Sequence, residues 1–214
     1  MMNVCAGCGA YRVDKAIDDA GQTAICPECG HPTPFSRSRL SIVSGASGCG
    51  KSTICARLTG VVSDAVLLEA DILWGPTFAD GASGTRAFSE MWLRVAKNIA
   101  QSGRPVVLFG AGIGVPDNIE PCVERRYFST IRYLALTCDE TELRRRLAAR
   151  PAWRQSNEPT FVEAQIRFNR WFLARIADGS MSGVDTTSES IDVAAARVAA
   201  WIRDAPTTGG QASG

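Results

Sequence analysis

A chain of 214 residues with 45% hydrophobic and 21% charged residues has ordinary globular composition, long enough for one α/β domain of common size and a small appendage. A formal net charge of +1 excludes a global field that would hold nucleic acid or an anionic membrane surface, and leaves only local patches. No apolar run nears the ~18 residues of a membrane-spanning helix, and residues 1–10 carry two cysteines where a leader would carry an apolar core, the pattern of a cytoplasmic protein.

The eight cysteines are unevenly placed. Cys5 with Cys8 and Cys26 with Cys29 form two C-x-x-C pairs, while Cys49, Cys55, Cys122 and Cys138 stand singly. Such a pattern suits a metal site and reduced thiols better than a disulfide framework. The spacing C-x₂-C-x₁₇-C-x₂-C lies in the window of four-cysteine zinc sites; a rubredoxin-type iron site and a redox dithiol pair share the spelling. Gly9 and Gly30 follow the pairs, free to take the positive φ of a metal-binding knuckle. Residues 11–13 and 23–25 are expected to pair as short strands around the turn-prone 18–21. Residues 1–35 look like a zinc ribbon, whose few apolar residues make bound Zn²⁺ the main source of folding free energy. His31, the lone histidine, would be a fifth ligand for four places and reads as a surface residue. Residues 36–39 read as a stiff linker.

An apolar strand at 40–43 leads into Gly45-Ala46-Ser47-Gly48-Cys49-Gly50-Lys51-Ser52, a full match to G-x-x-x-x-G-K-[ST] in strand–loop–helix context. Glycines let the backbone curl so that its N–H groups face one anion, and the helix N-terminus adds the positive end of its dipole. Residues Gly45 to Gly50 and Thr53 are therefore candidates for cradling a nucleoside triphosphate. Lys51 would bridge the β- and γ-phosphates, and the Ser52 hydroxyl would sit on Mg²⁺. Cys49 at the helix start is expected to have a lowered thiol pKa, although a small residue that fits the loop explains it as well.

The next strand, 66–71, ends in Glu69 and Asp71, which share one side of a strand end. Ligands in open α/β sheets lie outside the carboxyl ends of the strands, so Asp71 is a candidate to hold Mg²⁺ or to orient and deprotonate an acceptor hydroxyl. Residues 72–85 read as a loop, 86–102 as a helix and 105–109 as a buried strand. The glycine-rich turn 110–114 is expected to let a substrate approach the backbone, and residues 110–120 with 72–85 to shape an acceptor pocket. Residues 131–136 read as a fourth strand. Asp139 and Glu142 cap a helix ending near Arg150, on which Arg146 and Arg150, four apart, could clamp phosphate oxygens. Arg144 and Arg145 read as a solvated face. Thr160 with Glu163 spells a second capping box; in the helix that follows, Arg167 would pair with Glu163 and Arg170 could face the site. A strand at 183–185, a helix at 191–203 and a disordered tail at 205–214 complete the chain.

From residue 40 to 204 the order of elements resembles the nucleoside and nucleotide kinase group of P-loop proteins. The resemblance rests on the phosphate loop, on residues 143–154 (L-R-R-R-L-A-A-R-P-A-W-R) and on Val184-Asp185-Thr186-Thr187. It implies a three-layer α/β fold with five parallel strands in the order 2-3-1-4-5. It also implies a lid in which Arg146, Arg150 and Arg154 embrace ATP phosphates, Asp71 near Mg²⁺, and Thr186 close to the adenine. Gly110 stands where these kinases often carry an acid, so the resemblance transfers no acceptor. The expected function is ATP- and Mg²⁺-dependent phosphoryl transfer to a small hydroxyl compound. The other reading is a nucleotide hydrolase whose zinc ribbon contacts nucleic acid or a protein; neither involves a membrane.

Overall fold

The chain begins with a small antiparallel sheet of β1 (Ala16–Asp18), β2 (Thr23–Ile25) and β3 (Pro32–Pro34), in that order. The computed structural model describes residues 2–20, 22–79 and 81–204; the expected tail at 205–214 lies outside the described residues. Two expectations are corrected here. The strand partner of β2 is β1 and not residues 11–13, where Tyr11 makes only an isolated bridge to Val4 and Arg12 is drawn to Asp14 and Glu28. Residues 32–34, which lie outside both expected strands, form the outer strand, an edge position where prolines without N–H groups are tolerated.

The larger unit comprises β4 (Leu40–Ser44), α1 (Lys51–Leu58), β5 (Val66–Glu69), α2 (Gly81–Ala100), β6 (Val106–Phe109), α3 (Pro116–Ile119), β7 (Ile131–Thr137), α4 (Glu140–Ala148), α5 (Pro159–Ala177), β8 (Ser182–Asp185) and α6 (Ile191–Arg203). Its five strands are parallel and lie in the order β5-β6-β4-β7-β8, which is 2-3-1-4-5 when these strands are counted along the chain. Strand alternation divides the core. Val43, Val107 and Phe109 face α1, α4 and α6, while Ile42, Val106 and Leu108 face α2. Strands buried on both faces need apolar residues at nearly every position, which is why they read as continuous runs. Each fully buried side chain of this kind contributes about 1.5–3 kcal/mol. Among the described residues no helix is long and apolar enough to cross a membrane.

The helix expected at 86–102 starts five residues earlier, at Gly81. Trp74, Phe78, Phe88 and Trp92 form an edge-to-face chain along it, and Trp92 Nε1 donates to the Ala70 carbonyl at 3.1 Å. Gly84 is required here, because a Cβ would lie 2.3 Å from the Phe78 oxygen. Residues 70–78 thus form a wall fixed to α2. The turn 110–114 also differs from expectation. A Cβ on Gly110 would meet Ala70 at 2.8 Å and one on Gly114 would meet Ser44 at 2.0 Å, so these glycines serve protein packing; only Gly112 has open space.

The small sheet packs where α2 ends and β7 is about to begin, at the edge of the large sheet from which its strands start. Phe35 and Tyr127 stack edge-on at 5.7 Å, and Tyr127 donates to the Val13 carbonyl. Beside them lies a buried polar joint. Glu124 accepts from Lys97 at 2.5 Å, from Arg94 at 2.9 Å and from Asn3 at 3.1 Å, while Lys97 also donates to Asn3 Oδ1. Both Lys97 and Glu124 are fully buried; the charge of Glu124 is met by Lys97 and Arg94, and that of Lys97 by Glu124, Asn3 Oδ1 and the Tyr127 ring.

Candidate functional site

The four paired cysteines meet at one point. All four sulfurs lie within 4.8 Å of one another, with Cys5 to Cys29 at 3.6 Å and Cys8 to Cys26 at 3.9 Å. Four thiolates about 2.3 Å from a tetrahedral Zn²⁺ stand about 3.8 Å apart, so the cluster fits a zinc ribbon. Gly9 and Gly30 take φ of 75° and 71° and donate back to the Cys5 and Cys26 carbonyls, closing both knuckles. The Cys8 and Gly7 backbone draws the Cys5 thiol down to about 6, toward the thiolate a metal needs. His31 lies outside the cluster, with its ring against Gly7.

The second site lies at the opposite end of the large sheet, where β4 runs into the glycine-rich loop. Gly45, Gly48 and Gly50 take φ of 144°, 95° and 94°, values open to glycine at little cost. The loop delivers its N–H groups and the start of α1 to a cleft of about 470 Å³. Ser47, Gly48, Cys49, Gly50, Lys51, Ser52 and Thr53 line it, joined by Asp71, Arg146, Arg150, Arg154 and Thr186. Gly45 and Ala46 lie behind the loop, where their carbonyls accept from Lys51 Nζ at 2.7 and 3.0 Å. Burial holds the Lys51 ammonium below the ordinary lysine value, with Cys49 and Asp71 opposing. Glu69, weighed beside Asp71, is the last residue of β5 and does not line the cleft; Asp71 follows it in a 3₁₀ turn.

The arginines divide into two kinds. Arg144 pairs with Glu140 and Glu163, Arg145 with Glu142, and Arg170 with Glu140, so Arg170 turns away from the cleft. With Glu163 spent on Arg144, neither the expected Thr160 capping box nor the Arg167 pair forms, and α5 starts instead on Pro159. Arg146 is tied in place by Glu142 at 2.7 Å and by Thr186 Oγ1 at 3.0 Å. Arg150 and Arg154, by contrast, form no ion pair among the described residues, and Arg154 only rests over the Trp153 ring at 4.7 Å. Burial, then the neighbouring Arg154, holds Arg150 below the usual guanidinium value. Two uncompensated guanidinium groups beside an N–H nest are suited to an anion.

Two side chains that motif reasoning passed over, Gln165 and Asn169, belong here, and Glu142 has a role beyond the expected cap. Glu142 acts as the anchor of Arg146 as well as a capping partner of Asp139. On α5, Gln165 accepts the Ser47 N–H at 2.8 Å, and Asn169 donates to the Cys138 carbonyl at 2.8 Å while its Oδ1 lies 3.6 Å from Cys49 Sγ. Two carboxamides four residues apart on an aromatic-rich helix were the available signal.

Cys49 is fully buried, with its sulfur 3.9 Å from that of Cys138. That neighbouring thiol, then the charges of Lys51 and Arg146, lowers its pKa against the opposing effect of burial. Its alkylation therefore waits on opening of the loop. If opening excludes nucleotide, saturation with ATP at about 100 times its Kd should slow Cys49 labelling about a hundredfold. Peptide mass spectrometry after timed iodoacetamide exposure measures this, and a rate indifferent to ATP would separate Cys49 from the nucleotide cleft.

A model of the AAA domain family matches residues 40–170, a span from β4 to within α5 that holds the loop, Asp71 and the arginines. Solved structures with a similar fold include a sugar kinase from a Janibacter species, at 16% identity and TM-score 0.57 over 77% of this chain and 94% of that one. A gluconokinase from Sinorhizobium meliloti is similar at 16% identity and TM-score 0.52, over 78% and 96% of the two chains. A shikimate kinase from Acinetobacter baumannii follows at 15% identity and TM-score 0.50, over 78% and 93%. No curated protein sequence matches.

Proposed function

The chain belongs to the AAA domain family, and on that premise we propose that it is a kinase that moves the γ-phosphoryl group of ATP to the hydroxyl of a small molecule. One observation carries this reading. The phosphate loop, a carboxylate at Asp71 and the guanidinium groups of Arg150 and Arg154, which form no ion pair among the described residues, open on the same cleft. A binding module would need the loop alone; a carboxylate and these arginines lining one cleft with it suit group transfer.

In this reading the N–H groups of residues 45–50 and the Lys51 ammonium hold the β- and γ-phosphates, with Thr53 in the first turn of α1. The Ser52 hydroxyl and the Asp71 carboxylate, both hard oxygen donors on the cleft wall, would hold Mg²⁺, which supplies charge neutralisation on the phosphate oxygens. The acceptor oxygen attacks the γ-phosphorus while its proton passes to Asp71, the bond to the β-bridging oxygen breaks, and ADP leaves. Arg150 and Arg154 offset the charge spread over the transferred group. Arg146, bound to Thr186 and Glu142, holds the nucleotide side of the cleft in shape. The wall at residues 70–78 and Gly112 border the acceptor side. The sugar, gluconate and shikimate kinases of similar fold favour a polyhydroxyl acceptor over a macromolecule. The N-terminal ribbon, with Zn²⁺ on Cys5, Cys8, Cys26 and Cys29, is assigned a bracing role, because it lies at the other end of the sheet from the cleft.

The test is a transfer screen. Protein, Mg²⁺ and γ-labelled ATP are incubated with pools of sugars, sugar acids, nucleosides, nucleotides and amino alcohols, with a no-acceptor control. Label appearing in one pool is the expected result and identifies the acceptor class. Slow phosphate release that no pool changes, but that RNA, DNA or protein accelerates, would replace the kinase with a ribbon-guided hydrolase.

A further inference from the structure

Helix α5 grips the phosphate loop from outside with two side chains on one face. Asn169 is 3% exposed and bonds the Cys138 carbonyl while reaching the Cys49 sulfur, which fixes the rotation of the helix. One turn earlier, Gln165 is half-buried and its Oε1 takes the N–H of Ser47, the third residue of the motif and part of the cleft lining. Ser47 precedes the helix start at Lys51 by four residues, so its N–H belongs to the leading edge of the nest and not to the α1 terminus. A nest donor committed to a side-chain carbonyl is a donor withheld from phosphate.

The chemistry of the carboxamide makes this contact conditional. A phosphoryl oxygen only accepts hydrogen bonds, as does Gln165 Oε1, so the two repel when both approach Ser47. The amide can answer by exchanging its oxygen and nitrogen, and Nε2 donates to no other group among the described residues. We infer that Gln165 is a γ-phosphate-sensing residue: its Oε1 holds the Ser47 N–H when the terminal phosphoryl is absent, and its Nε2 donates to that phosphoryl when it is present. ADP leaves the first arrangement intact. The same helix follows directly on residues 150–158, so the exchange is made at the base of the segment that carries Arg150 and Arg154. The inference rests on the proposed nucleotide site and adds to it a means of telling ATP from ADP.

Calorimetric titration with Mg²⁺ and either ADP or the β,γ-imido analogue of ATP tests it, using wild type, Gln165→Ala and Gln165→Glu. Glutamate puts a negative charge against the terminal phosphoryl, so its Kd for the triphosphate analogue should rise about tenfold or more, while its Kd for ADP stays within about twofold. Alanine should weaken the triphosphate selectively but less. Thermal unfolding of both variants should remain near wild type, since the position is half-buried. Equal losses for the two nucleotides, or no loss for either, would reduce Gln165 to a packing residue and overturn the inference alone. A wild-type protein that binds neither nucleotide would overturn the site and the inference with it.

Discussion

Lys51→Ala is expected to lower phosphoryl transfer by about 10³-fold, the scale on which removing a preorganised charge donor acts. The side chain donates to the Gly45 and Ala46 carbonyls, neutral acceptors weaker than the phosphate oxygens it would hold. The fold should survive, because α1 is held by Ile54, Cys55 and Leu58 in the core and not by Lys51. Two measurements are needed together: turnover at saturating ATP and acceptor, and the unfolding temperature. Undiminished turnover would remove the phosphate loop from the chemistry. Lost turnover with a large fall in unfolding temperature would mean that the lysine served the fold instead.

The second large effect concerns the other end of the sheet. Cys26→Ser should release the metal and unfold the ribbon, since Cys26 is buried and one of only four cysteines in the cluster, and metal binding is worth about 10–16 kcal/mol in peptides of this kind. Asn3, Phe35 and Tyr127 would then lose their partners, and water would reach the Lys97 and Glu124 pair. A loss of about 2 kcal/mol in the larger unit would lower its unfolding temperature by roughly 4–8 °C. Metal content by atomic absorption, limited proteolysis within residues 9–25, and calorimetric unfolding measure the three parts. Wild type stripped of metal that resists proteolysis and unfolds at an unchanged temperature would remove the zinc from the account.

What the sequence disclosed depended on how locally each feature is determined. The phosphate loop was legible because its conformation needs glycine at fixed offsets, and Gly45, Gly48 and Gly50 all take positive φ. The sheet strands were legible because burial on both faces leaves an unbroken apolar run. The C-x-x-C pairs were legible because two ligands must come from one turn. Contacts between distant segments carried no such spelling. Gln165 reaches Ser47 across 118 residues and Asn3 reaches Glu124 across 121, and nothing nearby in the chain announces either. Glycine also has more than one use, so Gly110 and Gly114 read as room for substrate when they are room for Ala70 and Ser44. The first ribbon strand was misplaced because Tyr11-Arg12-Val13 has strand-like residues, yet Arg12 is drawn into ion pairs with Asp14 and Glu28.

The ribbon covers the edge from which the strands start and the cleft opens at the edge where they end, separated by the length of β4, about 16 Å for five residues. That separation keeps tethering and traffic apart. Anything moored to the ribbon would stand behind the molecule, leaving substrate free to come and go at the front, so anchorage and turnover could proceed at once on a single chain.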